Sequence, residues 1–353
     1  WRRGESPRPP WPLTTLALVK VSRDTQIPVV LAQMSGLNAG VMRSSPFDED
    51  ATPKAAKGSA LLAAAASGDA EGVLAALEAG AAANAAAENG VTPLMLAARA
   101  AAAVVVHTLL SQRADANVRS RKGCTALELA AGVGAAECAA LLLDHGAEAD
   151  VPNSEGLTPL IEASQNGHVA ILERLLAKDA QVNRARTNGD KDSPLHMAAQ
   201  NGHSKCVQVL LVGGAAINST NKRGQTPLML AAMYDRQSAA VTLIGNGAEV
   251  DESKHPGGQT ALLIASQNGN VAIVEALLEG GAEVGRFRTD GATPLFIAAA
   301  YGHVAVVEAL LAWGAENSPP PSEIVPEGGF TPLQVAEMSG HEAVVEVLRR
   351  ASV

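Results

Sequence analysis

The stretch that decides the fold is residues 293–315, TPLFIAAAYGHVAVVEALLAWGA. Thr293 is a favourable helix cap, and Pro294 costs nothing in the first turn because the N–H there has no intrahelical partner anyway. Gly302 supplies the positive φ that a reversal of the chain requires. Val and Leu residues after this glycine form an apolar stripe. The stretch therefore predicts two short helices joined by a tight turn.

The same unit recurs along the chain at a nearly constant period. Its mark is Thr-Pro-Leu or Ser-Pro-Leu, with three degenerate copies, and successive copies are 33, 33, 33, 35, 33, 34, 33 and 38 residues apart. Self-similarity at a fixed period is the signature of a repeat architecture, and nine copies cannot be accidental. The copies begin at Ser59, Thr92, Thr125, Thr158, Ser193, Thr226, Thr260, Thr293 and Thr331.

The end of each unit repeats as well. The second helix of a unit closes at Gly-Ala in most copies, and a loop that carries Asn or Asp follows. The pattern resembles the ankyrin repeat, a β-turn and two helices in about 33 residues. This resemblance covers residues 57–353. It implies an all-α ankyrin-repeat solenoid of about nine helix-turn-helix repeats, with hairpin loops along one edge. The loop residues are Asn84, Asn117, Asp150, Asn183, Asn218 and Asp251.

The composition fits such a repeat array. Apolar residues make up 47% of the 353 residues, but only 3% are aromatic, so alanine supplies much of the apolar fraction. The formal net charge of −9 gives no net attraction to nucleic acid or anionic membranes. The three cysteines, Cys124, Cys138 and Cys206, form no CxxC pair and are typical of reduced thiols. We therefore expect an intracellular protein, cytoplasmic or nuclear.

Residues 1–56 stand apart as an N-terminal extension and linker, without a defined fold. They carry seven basic and five acidic side chains, against 20 and 31 in the remainder. Residues 13–21 and 27–31 are compatible with a short β-hairpin, and a disordered extension is the alternative. Basic residues precede the apolar stretch 11–19, but no small-residue cleavage site follows closely. We expect neither a signal peptide nor a transmembrane segment.

Departures from the pattern predict local differences. The alanine-rich first copy has no preceding hairpin, and Arg349 and Arg350 give the last copy a polar face, so the two are expected to cap the array. The second copy has alanine at positions 100–102, where the glycine turn belongs, which makes its helix pair the least certain. The longer spacings predict extra loop residues near 188–192 and 318–322.

Motifs for chemistry are weak. His168, His203, His303 and His341 take one equivalent place after the turn, but they lie in separate repeats, so they predict bonds to the local backbone and no metal site. The glycines at 132 and 134 lack the preceding strand of a dinucleotide fingerprint. We find no P-loop and no nucleophile elbow. The sequence therefore predicts no enzyme, no metal and no cofactor.

The resemblance implies a binding surface on the concave helices and the hairpin tips. The concave positions are the seventh and eighth residues after each Thr or Ser, and the tips lie one, three and four residues before it. The concave candidates are Arg99, Gln165, Asn166, Gln200, Asn201, Met233, Tyr234, Gln267, Asn268, Tyr301 and Met338. The tip candidates include Arg121, Lys122, Lys222, Arg223, Gln225, Asp290 and Phe330.

Both tyrosines of the chain, Tyr234 and Tyr301, fall eight residues after their Thr. Interface energy concentrates in Tyr, Trp and Arg, and Met adapts to varied partners. One hypothesis is a binding patch across copies six to nine; the alternative is that the rings cover seams between repeats. Trp313 and Phe296 are expected to be packing residues. The patch comprises Met233, Tyr234, Asn268, Tyr301, Phe330 and Met338.

These features predict a non-catalytic scaffold or adaptor that binds one or more proteins through its concave groove and hairpin tips. We expect a monomeric array with no nucleic-acid partner and no membrane insertion. The alternative is a regulatory segment of a larger enzyme or channel whose catalytic part lies upstream. Residue 1 is Trp rather than Met, which keeps this alternative open.

Overall fold

The computed structural model describes residues 53–187, 189–253, 257–315 and 330–351. The chain divides into two units, Trp1–Pro53 and Lys54–Val353. Most of the expected N-terminal extension and the loop expected near 318–322 lie outside the described residues, and the boundary after residue 56 stays a prediction. The helices are α1 Pro53–Ser67, α2 Ala70–Glu78, α3 Pro93–Arg99, α4 Ala103–Ser111, α5 Ala126–Val133, α6 Ala136–Asp144, α7 Pro159–Asn166, α8 Val169–Ala177, α9 Pro194–Asn201, α10 Ser204–Val212, α11 Pro227–Met233, α12 Gln237–Gly245, α13 Ala261–Asn268, α14 Val271–Glu279, α15 Pro294–Tyr301, α16 Val304–Ala312, α17 Pro332–Ser339 and α18 Glu342–Ala351.

The described residues are all-α and form nine successive helix pairs, which we number repeats 1 to 9. From α3 onward, each first helix packs on the first helix of the next repeat. Each second helix from α2 onward packs on the second helix of the next repeat, so the repeats form two layers. The predicted fold class, an all-helical solenoid, is confirmed. No helix in the described ranges has both the length and the apolar character to span a membrane.

The first helices begin where the Thr-Pro-Leu signal places them. Thr226 is the N-cap of α11, and its Oγ1 accepts a hydrogen bond from the Met229 N–H at 3.2 Å. Ser193 caps α9 in a capping box, because its hydroxyl and the His196 ring satisfy each other's backbone N–H groups. Repeat 1 differs, since its helix begins at Pro53 and Ser59 lies inside it. A degenerate Ser-Ala-Leu thus does not start a helix here.

The turns within the helix pairs all require a left-handed residue. Gly302, for example, ends α15 at φ 76°. Repeat 2 forms its pair without glycine, because Ala101 takes φ 54°, and in repeat 6 Asp235 takes φ 56°. The packing of neighbouring repeats therefore imposes the turn even where the side chain opposes it.

The core is a row of small, repeated contacts. The leucine of the repeated signal is nearly inaccessible in repeats 1 to 8, as at Leu94 and Leu160, and paired alanines such as Ala198 and Ala199 are fully buried. Alanine lets the first helices approach closely without rings to fill the space. This explains how the protein builds its core with 3% aromatic residues.

Side chains of the hairpin loops connect each repeat to the next. The Asn117 Oδ1 accepts from the Glu148 N–H at 2.8 Å, and its Nδ2 donates to the Gly146 carbonyl at 2.9 Å. Asn183 makes the same two bonds with the following repeat. Asp150 and Asp251 accept the corresponding N–H but have no amide to donate. The Asn and Asp residues of the loops therefore link neighbouring repeats by hydrogen bonds.

The four equivalent histidines also connect neighbouring repeats, but each bonds to the preceding repeat rather than to the following one. The prediction that they bond to the local backbone is wrong: each reaches the preceding repeat. His203 Nε2 lies 3.0 Å from the Gln165 carbonyl oxygen, and His303 Nε2 lies 2.9 Å from that of Gln267. The ring fits because the turn residue it covers is glycine, and a Cβ on Gly167 would come within 2.7 Å of the His203 ring. The glycine is thus needed both for its φ and for this close approach.

The polar end expected of the last repeat is present. Arg349 and Arg350 are exposed on α18 and pair with Glu337 and Glu346. Phe296 is half-buried against the core, as expected. Trp313 differs from the expectation because 49% of its surface is exposed. It lies at the C-terminal end of α16, where the chain leaves the packed layer.

The strained turn of repeat 2 gives a direct prediction. Ala101→Gly is expected to raise the free energy of unfolding by about 1 kcal/mol, because glycine adopts positive φ without the steric cost that alanine carries. Ala101 is exposed, so no packing is lost. Urea unfolding followed by circular dichroism measures the change. Ala100→Gly is the matched control: Ala100 is exposed as well but has φ −77°, so the same substitution there should destabilise. Equal effects at the two positions would contradict the account.

The hydrogen bonds of the loop residues between repeats give a second prediction. Asn117→Ala removes an acceptor and a donor between repeats and is expected to cost about 1–2 kcal/mol of unfolding free energy. Asn117→Asp keeps the acceptor, as Asp150 does naturally, and should cost less. Thermal unfolding of both variants measures the difference. Equal losses would mean that the bond to the Glu148 N–H adds no stability.

Candidate functional site

At the concave ends of the first helices, the backbone carbonyls and the side chains have different roles. The carbonyl groups of Gln165, Gln200 and Gln267 accept hydrogen bonds from His203, Arg236 and His303 of the following repeat. Their side chains, and that of Arg99, are half-buried. The backbone at these positions therefore holds repeats together, and the side chains are left to vary.

The predicted asparagines are mostly structural. Asn166 and Asn201 each donate a side-chain hydrogen bond to a carbonyl four residues earlier in their own helix, at 2.9 Å. Asn268 donates from Nδ2 to the Met233 carbonyl of the preceding repeat at 3.1 Å. These amides complete helix ends and one seam, which limits what they can offer to a partner.

The tyrosines of the predicted patch have different surroundings. Tyr301 is 38% exposed, and its ring stacks on His303 with centroids 6.2 Å apart and planes 5° apart. Tyr234 is half-buried. The structure therefore presents one of the two rings to solvent more fully than the other.

The other apolar members of the patch differ in the same way. Met338 is 52% exposed at the same edge of repeat 9. Met233 and Phe330 are half-buried. Tyr301 and Met338 are thus the apolar side chains of the patch that a partner can reach most readily.

The hairpin tips are only partly as expected. Arg121 and Lys122 are exposed, and exposed Arg223 forms an ion pair with Asp190 at 2.9 Å. Gln225 is not a tip residue: it is 5% exposed, and its oxygen accepts from Asn221 Nδ2.

Sequence reasoning missed a buried carboxyl group in repeat 3. Glu128 is 4% exposed, and its Oε1 accepts from the Asn153 amide at 2.6 Å. Its Oε2 has no hydrogen-bond partner among the described residues. Burial raises the pKa of Glu128 to about 7, opposed by the Asn153 hydrogen bond and reinforced by the charge of Glu162. Burial and the negative charge of Glu128 also raise the pKa of the Cys124 thiol, to about 11.

Glu162 adds a second carboxyl group to this region, from α7 of repeat 4. It stands four residues after Thr158, where other repeats bury an apolar side chain such as Leu96, Leu230 or Ile264. Burial raises its pKa, the charge of Glu155 raises it further, and Arg186 lowers it. A position-by-position comparison of the nine copies would have found both substitutions, because an acidic residue at an apolar position is visible in the sequence.

The comparisons with known proteins agree with the geometry. A family model described as ankyrin repeats (3 copies) matches residues 99–186, 183–254, 240–320 and 287–352. The crystal structure of the human ASB11 ankyrin repeat domain is similar, with a TM-score of 0.58 and 29% sequence identity. That match covers 65% of this chain and 100% of the other. None of the curated proteins compared with the chain matches it.

The buried carboxyl of repeat 3 predicts a pH-dependent stability. The Glu128 carboxyl has a pKa of 4.5 in the unfolded chain and of about 7 in the folded protein. Its contribution to stability is therefore fully present below about pH 4.5 and is lost as the pH rises to about 7. Glu128→Gln removes the group that titrates. Between pH 5 and pH 8 the wild type is expected to lose on the order of 3 kcal/mol relative to this variant. Denaturant unfolding at both pH values measures the difference.

Glu173→Gln is the matched control, because Glu173 is exposed on α8. It should follow the pH dependence of the wild type. An identical pH dependence in Glu128→Gln would show that Glu128 has an ordinary pKa.

Proposed function

Because the chain belongs to the ankyrin-repeat family, we propose that it is a non-catalytic scaffold or adaptor that binds a protein partner through its concave surface and hairpin tips. Ankyrin repeats are generally protein–protein interaction modules, and their fold is typically non-catalytic. The partner is therefore a protein rather than a nucleic acid. No cofactor takes part.

The single observation that carries the proposal is the exposed apolar edge of repeats 8 and 9. Tyr301 and Met338 expose 38% and 52% of their surfaces, and both lie near the C-terminal ends of first helices. Interface energy concentrates in residues such as Tyr, and the flexible thioether of Met adapts to varied partners. These two side chains form the centre of the contact, and Met233, Tyr234, Asn268 and Phe330 flank it.

The remaining concave residues extend the contact toward repeat 2. Gln165, Gln200 and Gln267 present half-buried amides in register, and Arg99 adds a cation. Such side chains suit the polar rim of an interface. With Asn166 and Asn201 they set the alignment of the partner, while most of the binding energy comes from repeats 8 and 9.

The proposal also covers where and in what form the protein works. Cys138 and Cys206 are buried as free thiols, which is typical of a reducing compartment. We infer an intracellular protein, cytoplasmic or nuclear. The polar end of repeat 9 disfavours further stacking, so the array acts as a monomer.

Alanine substitution at the exposed edge tests the proposal. The double variant Tyr301→Ala/Met338→Ala is expected to weaken partner binding at least tenfold, on the order of 1.4 kcal/mol, with a smaller change in unfolding free energy. The partner is first obtained by affinity capture with the whole chain and identified by mass spectrometry. Titration calorimetry then compares the variants.

Two further variants separate contact from stability. Val212→Ala is the matched control, because Val212 is 80% exposed on a second helix, and its removal should leave binding unchanged. Tyr234→Ala should lower stability, because that ring is half-buried. If the double variant binds as the wild type does but melts much earlier, the rings only cover seams and the proposed contact is wrong.

A further inference from the structure

The seam between repeats 3 and 4 is held differently from the later seams. His168 Nε2 lies 3.3 Å from the Gly132 carbonyl oxygen. At three later seams the same distance is 2.9 or 3.0 Å, for His203, His303 and His341. The second helices α6 and α8 also pack on each other less extensively than the second helices of any later seam, whereas the first helices α5 and α7 pack as extensively as their counterparts. This seam therefore depends on its first helices more than the later seams do.

Each of these two first helices contributes one carboxyl group to the seam. Glu128 of α5 takes the position that Met95 and Leu263 fill in repeats 2 and 7. It is 4% exposed, and its hydrogen bond to Asn153 crosses the seam. Its Oε2 has no hydrogen-bond partner within the described ranges. Glu162 of α7 adds a second negative charge that opposes the ionisation of Glu128. The part of the seam that carries most of the packing thus holds a buried group that resists ionisation.

The groups that act on the charge of Glu128 come from both repeats of the seam. They include Glu162, Asn153 and Cys124. The thiol is neutral because its pKa is about 11. Arg186, on the hairpin before α9, lowers the pKa of Glu162, which the charge of Glu155 raises. Ionised Glu128 therefore faces a second carboxyl group, one amide and one neutral thiol.

Charged residues on the other elements beside α5 stand further out. Arg99 is the last residue of α3, and Glu137 and Asp144 of α6 are exposed. None of these three is among the main causes that raise the pKa of Glu128. Burial is the largest cause, so the cost of ionisation is removed when water reaches the side chain.

Opening of this seam is therefore linked to pH. A hydrated glutamate has its usual pKa of 4.5, whereas Glu128 in the closed seam has a pKa of about 7. Between these two values the closed form binds more protons than the open form, and rising pH favours the open form. The shift is nearly complete at pH 8, where both forms are ionised.

The two sides of the seam differ in size and in strain. Repeats 1–3 lie on one side and repeats 4–9 on the other. Repeat 2 makes its turn without glycine, at Ala101 with φ 54°. At the seam between repeats 1 and 2, Ala102 lies over Gly68, where four later seams place a histidine ring. About three repeats are the minimum for a stable array, and arrays open where the coupling of neighbours is weakest. The shorter side is thus the part that unfolds when the seam opens.

We propose that repeats 1–3 separate from repeats 4–9 at this seam and unfold as one unit, and that they do so more often as the pH rises from 6 to 8. The inference goes beyond the proposed function, because it concerns the array itself and needs no partner. Arg99 lies on the part that unfolds, and Tyr301 and Met338 lie on the part that stays folded. A partner centred on repeats 8 and 9 keeps its main contact while the far rim of the groove is released.

Hydrogen exchange of the full chain at pH 6 and pH 8 tests the proposal, with protection factors that correct for the pH dependence of intrinsic exchange. The most protected amides of α3 and α5 are expected to share one opening constant, at least tenfold larger than that of α9 and α11. This constant should rise about tenfold from pH 6 to pH 8, as pKa values of 4.5 in the open form and about 7 in the closed form require. Equal protection in both groups of helices would overturn the proposal.

Two matched variants locate the opening. Asn117→Ala breaks the loop bonds between repeats 3 and 4, and Asn183→Ala breaks the equivalent bonds between repeats 5 and 6. Asn117→Ala is expected to raise the opening constant of α3 and α5 about tenfold. Asn183→Ala should leave that constant unchanged and lower only the protection of α9 and α11. If both variants raise the constant of α3 and α5 equally, the array unfolds as a whole and the proposal is wrong.

A second pair of variants tests the carboxyl group. Glu128→Gln keeps an acceptor for Asn153 but cannot ionise, so the opening constants of α3 and α5 at pH 6 and pH 8 should differ less than twofold. Glu173→Gln, on the exposed side of α8, should keep the tenfold rise of the wild type. A tenfold rise that persists in Glu128→Gln would show that another group controls the seam.

Discussion

The structure depends on one constraint: a pair of helices of eight or nine residues cannot bury its own apolar face. From repeat 2 onward, each pair packs on the next in two layers, first helix on first helix and second helix on second helix, and the neighbour covers most of its apolar side chains. The seam between repeats therefore provides the core. Directional bonds fix this seam on both sides. Loop residues such as Asn117 reach the next repeat, and histidines such as His203 reach the preceding one.

The seam also decides which atoms are available for function. At the concave helix ends the backbone carbonyls are consumed by the following repeat, as at Gln165 and Gln267. The side chains of Gln165 and Gln267 do not take part in these bonds between repeats. Side chains at such positions can therefore differ from one repeat to the next. This is why residues as different as Tyr301 in repeat 8 and Gly132 in repeat 3 can lie at the concave ends of their first helices without disturbing the fold. Surface chemistry can vary along the array while the packing stays constant.

The sequence predicts what is decided within one repeat. Thr226 caps its helix and Gly302 turns the chain, because both effects act over a few residues. Contacts between repeats depend on how the units stack, and one unit does not contain that information. For this reason the sequence alone predicts a local bond for His203, a packed Trp313 and a hairpin-tip position for Gln225, and the structure differs at all three. Glu128 differs, because an acidic residue at this position departs from the apolar residue of other copies, such as Met95 and Leu263, and is visible in the sequence itself.

The features of repeat 3 and its neighbour concentrate several stability costs at one seam. A glycine inside α5 weakens the helix, a buried carboxyl opposes its own ionisation, and an acidic residue in repeat 4 replaces an apolar core residue. Each lowers stability, and in an array with nearest-neighbour coupling they act on the same seam, between repeats 3 and 4. Three costs of different kinds thus fall on one seam, so the junction of repeats 3 and 4 is held less tightly than a seam that keeps the shared pattern.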